Sequence, residues 1–268
     1  MMKVLKNISI QLTGNALAQK LLKKNLDVSS YLMGIGAGTN VNESGELVLV
    51  KQILHSQKDK AVIFDIGANI GLFSNLIISE LTGKLNYELH CFEPSKTTFN
   101  KLEKNIKPGE NIFLNNFAFG REKKNASLFY DFAGSGLASL TKRKLDHFNI
   151  NFGYSENITV DTLDNYCEYK NIGSIDLLKI DVEGHELDVL LGGSKMFSDK
   201  KIKLVSFEFG GSNIDTKTYY RDFYYFFEEL KMKIYRITPS SFLVPMNGYE
   251  EVYEQFRTTN FIASLETI

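Results

Sequence analysis

The sequence predicts an α/β fold, a mainly parallel seven-stranded sheet with helices on both faces, and three observations carry that reading. Residues 61–66, Ala61-Val62-Ile63-Phe64-Asp65-Ile66, and residues 175–181, Ile175-Asp176-Leu177-Leu178-Lys179-Ile180-Asp181, are nearly apolar along their length, as strands covered on both faces must be. Such runs alternate with stretches in which apolar residues recur at helical spacing, the pattern of parallel strands joined by crossover helices. With 268 residues, 43% of them hydrophobic and 24% charged, the chain is long enough for one substantial core.

Taken in order, 14–26 and 46–54 set leucines and other aliphatics on one helical face, so residues 1–55 read as an N-terminal helical extension before a domain over 56–268. Between these helices, Gly34-Ile35-Gly36-Ala37-Gly38 has no following Lys-Ser/Thr, which makes it a connector or a lid rather than a phosphate loop. The strand at 61–65 leads into Gly67-Ala68-Asn69-Ile70-Gly71 and a helix over 71–81 that Gly83 stops. A second strand, 87–92, ends at Glu93-Pro94-Ser95, with Ser95 placed to cap a helix over 95–105. Residues 111–118 form a third strand, and 121–160 read as an insertion beside the sheet. A helix capped by Asp161 or Thr162, the strand ending at Asp181, a helix stopped by Gly192-Gly193 and a strand over 203–209 follow. An aromatic helix over 217–230 and strands over 233–237 and 261–265 complete the pattern.

Composition excludes several classes. Thirty-one basic and 32 acidic residues leave a net charge of -1, which offers nucleic acid no global attraction. Cys91 and Cys167 are far apart and frame neither a disulfide scaffold nor a zinc site, which fits a reduced, cytoplasmic protein. Residues 1–7 are not followed by an unbroken apolar run, so neither a signal peptide nor a transmembrane helix is expected.

The chemistry concentrates at two strand ends. The order Asp65-x-Gly67-x-Asn69-x-Gly71 lacks the third glycine of the dinucleotide fingerprint, which disfavours an NAD-dependent nucleotide-sugar enzyme. It resembles instead the nucleoside-methionine loop of class I S-adenosylmethionine-dependent methyltransferases. Glu93, 22 positions beyond Gly71, stands where a doubly wound fold sets a carboxylate against a ribose, and Asn116 to Phe119, with Ala118, should border the adenine. Leu178-Lys179-Ile180-Asp181-Val182-Glu183-Gly184-His185-Glu186, downstream of Phe64-Asp65-Ile66-Gly67-Ala68-Asn69-Ile70-Gly71 and Phe92-Glu93-Pro94, resembles the signature of the FkbM family of S-adenosylmethionine-dependent methyltransferases over residues 45–265. The resemblance implies a Rossmann-like class I methyltransferase fold, S-adenosyl-L-methionine as cofactor, and O-methylation of a carbohydrate such as a surface polysaccharide or glycolipid sugar, nucleotide- or lipid-linked. A non-catalytic module that keeps the fold is the third reading, and intact Asp65, Gly67, Gly71, Glu93 and Asp181 argue against it.

A sugar hydroxyl is a poor nucleophile and needs help to lose its proton. His185 is the candidate base, with a structural role at the following helix as its alternative; Asp181 should face the cofactor or acceptor; Glu183 joins them or stabilises a helix N-terminus. Asp181 and Glu208 could hold a divalent cation, but two carboxylates do not make a metal site, and none is assigned. Lys142-Arg143-Lys144 reads as a solvated face, with an acceptor phosphate as the alternative. On the aromatic helix, Phe223, Phe226 and Phe227 read as core, while Tyr219, Tyr220 or Tyr224 could reach a pocket or an interface in a homo-oligomer. Residues 1–55 and 121–160 are expected to form the acceptor site.

Overall fold

The computed structural model describes residue 10 and residues 12–38, 44–55 and 59–268; the expectation for residues 1–7 lies outside them. Helices α1 (Ala16–Leu32) and α2 (Leu47–His55) lie before the sheet in the chain. β1 (Lys60–Ile66), α3 (Leu72–Leu81), β2 (Asn86–Phe92), α4 (Lys96–Asn105) and β3 (Ile112–Asn115) form its first half. A small separate sheet holds β4 (Ala118–Phe119), β5 (Lys124–Tyr130) and β6 (Tyr154–Asp161) in the order β4-β6-β5. α5 (Leu163–Lys170), β7 (Ile175–Ile180), α6 (Glu186–Leu191), α7 (Ser194–Ser198), β8 (Ile202–Phe209), α8 (Ser212–Thr216) and α9 (Tyr220–Glu229) return the chain to the main sheet. β9 (Lys233–Ile237), β10 (Leu243–Pro245) and β11 (Thr259–Ser264) complete it.

The main sheet runs β10-β9-β11-β8-β7-β1-β2-β3. Its pairs from β3 to β8 are all parallel, and β11 enters antiparallel between β8 and β9. This is the seven-strand arrangement expected, with an eighth strand added at the edge by the turn into β10, whose Pro245 has no ladder proton to give and suits an edge. Side chains alternate across β1: Ile63 joins Leu89, Leu177 and the helices α2 and α3 on one face, while Phe64 and Ile66 join Phe92, Leu178, Phe207 and α9 on the other. Two apolar layers thus clamp the central strands and fix the height of their C-terminal ends.

Three local readings change. The strand expected over 111–118 breaks after Asn115, where the Asn116 side-chain amide donates to the carbonyls of Glu93 (2.8 Å) and Pro94 (3.0 Å), and Ala118 pairs with Val160 in the second sheet instead. The helix expected from Lys217 starts at Tyr220, because Lys217 takes φ +57° as the cap of α8. Tyr220 is fully buried against Phe261, so it reaches neither a pocket nor an interface; Phe223 and Phe227 are core, as read.

Candidate active site

A cavity of about 710 Å3 opens over the C-terminal ends of β1, β2, β7 and β8, where open α/β sheets bind ligands. At one end the chain after β1 must cross tightly over β7. Gly67 takes φ +80°, and a Cβ there would lie 1.8 Å from the Asp181 carbonyl oxygen, so no other residue fits without moving the backbone. The Gly67 and Ala68 amides donate to the Phe92 carbonyl (3.0 and 2.9 Å), which locks this loop to the end of β2. Asn69, at φ +50°, presents its amide to Glu93 Oε2 (3.1 Å), and the Ser95 amide donates to Oε1 (2.9 Å). Ser95 caps α4 by position, yet its side chain makes no cap bond. Glu93 is buried, and that burial pushes its carboxyl up to about 7 against the pull of these two amides. Phe92, Phe117, Ala118 and Phe119 line an apolar slot beside it.

Gly67, Asn69, Glu93, Ala118, Asp181, Glu183 and His185 all line this cavity; two of the residues expected at the cofactor do not. Asp65 is fully buried beneath the loop, its Oδ2 accepting from Ser74 Oγ (2.6 Å) and its Oδ1 3.9 Å from Lys179 Nζ. On an alternating strand Asp65 shares a face with Ile63, toward α3, and that places it under the site rather than in it. Gly71, at φ +89°, caps α3; a Cβ there would strike Ile106 and Leu102, so it serves helix packing.

The far end is assembled from distant segments. Asp181 borders the cavity with its side chain 40% exposed and accepts from Lys179 Nζ (3.2 Å). Burial alone would lower the Lys179 ammonium, but Asp181, Asp65 and Glu46 outweigh it and hold the charge firmly. Glu183, at φ +54°, does not stabilise the next helix. Its carboxylate instead meets Arg143 Nη1, and burial with Asp181 pushes it up while Arg143 opposes. The helix-end role falls to Glu186, whose Oε1 accepts from the amides of Val182 (3.1 Å) and Gly184 (3.0 Å). Glu208 also lines the cavity, its carboxyl raised well above the ordinary range by burial, Asp181 and Glu183. Among the described residues no group of three or more His, Cys, Asp and Glu has metal-holding geometry.

His185 stands at the cap position of α6, but its side chain makes no cap bond. Nδ1 lies 2.9 Å from Asp188 Oδ2 and Nε2 lies 3.0 Å from Thr141 Oγ1. A carboxylate on one ring nitrogen and a hydroxyl on the other is the arrangement of an oriented imidazole facing a hydroxyl.

The sequence reading missed Thr141, Asp188 and the role of Arg143. Asp188 was legible as the residue three positions after His185 on one helix. Arg143 was not: its side chain is 8% exposed and tied to Glu183 and Asp215 (3.6 Å), although Lys142 and Lys144 beside it are exposed, so the run is only in part a solvated face. Residues 135–140, 143–145, 147 and 148 of the insertion line the cavity. Among the described residues of 1–55, Gly38 does.

The family model of the methyltransferase FkbM domain matches residues 65–236, well over half of the chain. The chain is 27% identical over 150 residues to the 2-O-methyltransferase NoeI of Sinorhizobium fredii, covering 52% of this chain and 60% of that protein. It is 25% identical over 170 residues to the hexuronic acid methyltransferase AglP of Haloferax volcanii, covering 62% and 64%. The match therefore spans less than two thirds of either relative's length. Among solved structures, a methyltransferase FkbM from Methylobacillus flagellatus superposes with a TM-score of 0.45 at 16% identity, covering 76% of this chain and 44% of that one. The family match begins at Asp65, runs through the Gly67 loop, Glu93 and the Asp181–Glu186 turn, and ends on β9: this chain belongs to the methyltransferase FkbM family.

Proposed function

We propose that this protein transfers a methyl group from S-adenosyl-L-methionine to a hydroxyl of a carbohydrate. The observation that carries the proposal is one cavity holding a buried carboxylate under a glycine loop at one end and a carboxylate-oriented histidine at the other. The first end fits the cofactor. Each Glu93 oxygen accepts one backbone amide and keeps a lone pair for a ribose hydroxyl, Gly67 lets the loop lie close to a methionine portion, and Phe117 and Ala118 offer an apolar surface to an adenine. When bound, the sulfonium supplies an electrophilic methyl group.

The chain's own residues do the rest. The acceptor hydroxyl takes the place beside Nε2 that Thr141 Oγ1 now shares, and Nε2 accepts its proton while Asp188 holds the other ring nitrogen as N–H and steadies the resulting imidazolium. Arg143, pinned by Glu183 and Asp215, fixes the insertion over the sheet and leaves the hydroxyl aimed at one point. NoeI and AglP, a 2-O-methyltransferase and a hexuronic acid methyltransferase by name, support a sugar as acceptor. We infer a glycan of surface polysaccharide or glycolipid biosynthesis, modified in the cytoplasm. Two measurements test the proposal together: calorimetric titration with S-adenosyl-L-methionine, and mass spectrometry of surface glycans with and without the protein. Binding together with loss of one methyl group supports it; no cofactor binding, or an unchanged glycan, rejects it.

A further inference from the structure

Helix α1 gives almost none of its side chains to the core of its own domain. At about 100° per residue, Leu17, Val28, Leu21, Leu32, Leu22 and Leu26 fall within one arc of about 180°, while Lys20, Lys23, Lys24 and Asp27 fall in the opposite arc. The body is met only at the C-terminal turn, and Lys20, Lys23 and Lys24 are exposed as well. Ser30 is the buried residue of the helix, and Asp27 pairs with Arg257 (2.7 Å). The six aliphatic side chains are left 48–70% exposed. A helix that touches the body only at its last turn and leaves a continuous aliphatic arc exposed has its apolar partner elsewhere.

The structure also says where that face is held. After α1 the chain turns at Gly34, Arg236 Nε donates to the Met33 carbonyl (2.9 Å), and the Gly36 and Gly38 amides both donate to the Thr258 carbonyl (3.1 Å each). Gly38, Arg257 and Thr258 line the active-site cavity, so the helix is moored beside its mouth. Phe148 and Ile214, at 66% and 59% exposure, line the same cavity and carry apolar surface to the outside, next to the exposed Lys144.

We propose that α1 lies in an anionic lipid surface and brings the mouth of the cavity down to it. Charge chooses the occupant. Arg257 already neutralises Asp27, which leaves Lys20, Lys23 and Lys24 unbalanced on the helix, and their long stems can lie along the interface with the ammonium groups at headgroup level. A second copy of the chain is the poorer partner, because a paired helix buries a narrow seam and this arc spans half the circumference with Asn25 and Ser29 inside it.

The proposal is read without cofactor or acceptor, so it stands or falls apart from the methyl-transfer reading. The whole protein is sedimented with vesicles of phosphatidylcholine alone and of equal parts phosphatidylcholine and phosphatidylglycerol. Binding to the mixed vesicles, weaker at high salt, is expected. The double variant Leu17→Glu/Leu21→Glu should bind at least about tenfold more weakly, and Lys20→Gln/Lys23→Gln/Lys24→Gln should lose the preference for the anionic lipid. Both variants should keep the wild-type melting temperature, since none of these side chains is buried. Failure of the wild-type protein to sediment with either vesicle overturns the proposal, as does equal binding by the Leu17/Leu21 variant. So does a dimer in analytical ultracentrifugation that the Leu17/Leu21 variant dissolves, with no vesicle binding: the face would then belong to a second copy.

Discussion

The two ends of the cavity are built in different ways. The end with Gly67, Asn69 and Glu93 rests on the tips of two adjacent parallel strands, and its hydrogen bonds join residues within about one crossover unit, as Asn69 to Glu93 and Ser95 to Glu93. The end with His185 is closed by a segment from the insertion: Thr141 reaches His185 and Arg143 reaches Glu183 across some 40 residues of chain, and Lys144 meets Asp215 farther still. A site half of which is rigid sheet and half of which is insertion can keep one ligand constant while its other ligand changes. Substitutions at the two ends should therefore fail in different ways.

The largest difference is expected from His185→Ala. Turnover should fall by about 10²–10⁴ while cofactor affinity, measured by calorimetry, stays near the wild-type value. Loss of affinity in step with turnover would mean that the two ends are not separable.

Arg143→Met tests how the insertion is held. Glu183 would be left facing Asp181 and Glu208 without its cation, and breaking a largely buried pair costs about 3–5 kcal/mol when one partner remains. Chemical denaturation should show a loss in that range, and Arg143→Met/Glu183→Gln should recover much of it. If the single variant melts with the wild type, Arg143 is not the clasp.

The same contrast explains what could be read in the sequence. The parallel core was legible because β1 and β7 must be apolar on both faces, and the glycine loop was legible because its signal is confined to seven consecutive residues. Asp65 was misplaced for a reason of parity. Motif spacing locates a residue at the end of a strand but not the face of the sheet it points to, and Asp65 points to Ser74 and Lys179. Thr141 and Arg143 could not be found because nothing local distinguishes an arginine that folds back on Glu183 from the two exposed lysines beside it. The eighth strand and the break after Asn115 depend on edge pairing and on one side-chain amide, which carry no periodic signal.

The smallest effect, and the one that sharpens the comparison most, concerns Glu93. Its carboxyl is pushed up to about 7 in the folded protein by burial, from an ordinary value of 4.5. A group raised in this way holds its proton longer in the folded state than in the unfolded one, so its contribution is fully present below about pH 4.5 and is lost as pH rises through about 7. Glu93→Gln keeps the shape and drops the titration; its NH2 opposes one of the two backbone amides at every pH, and against that constant cost the variant should gain on the wild type by up to about 2–3 kcal/mol as pH rises from 5 to 8 in thermal melts without ligand. The same substitution should weaken S-adenosyl-L-methionine by roughly 1.5–3 kcal/mol, since hydroxyl donors bond more strongly to a carboxylate than to an amide. Stability and binding thus move in opposite directions at one residue: without ligand the carboxylate is buried at a cost, and a ribose would supply the donors that offset it. A variant that gained nothing at high pH, or that bound the cofactor as tightly as the wild type, would remove Glu93 from that role and leave the glycine loop alone to hold the nucleoside.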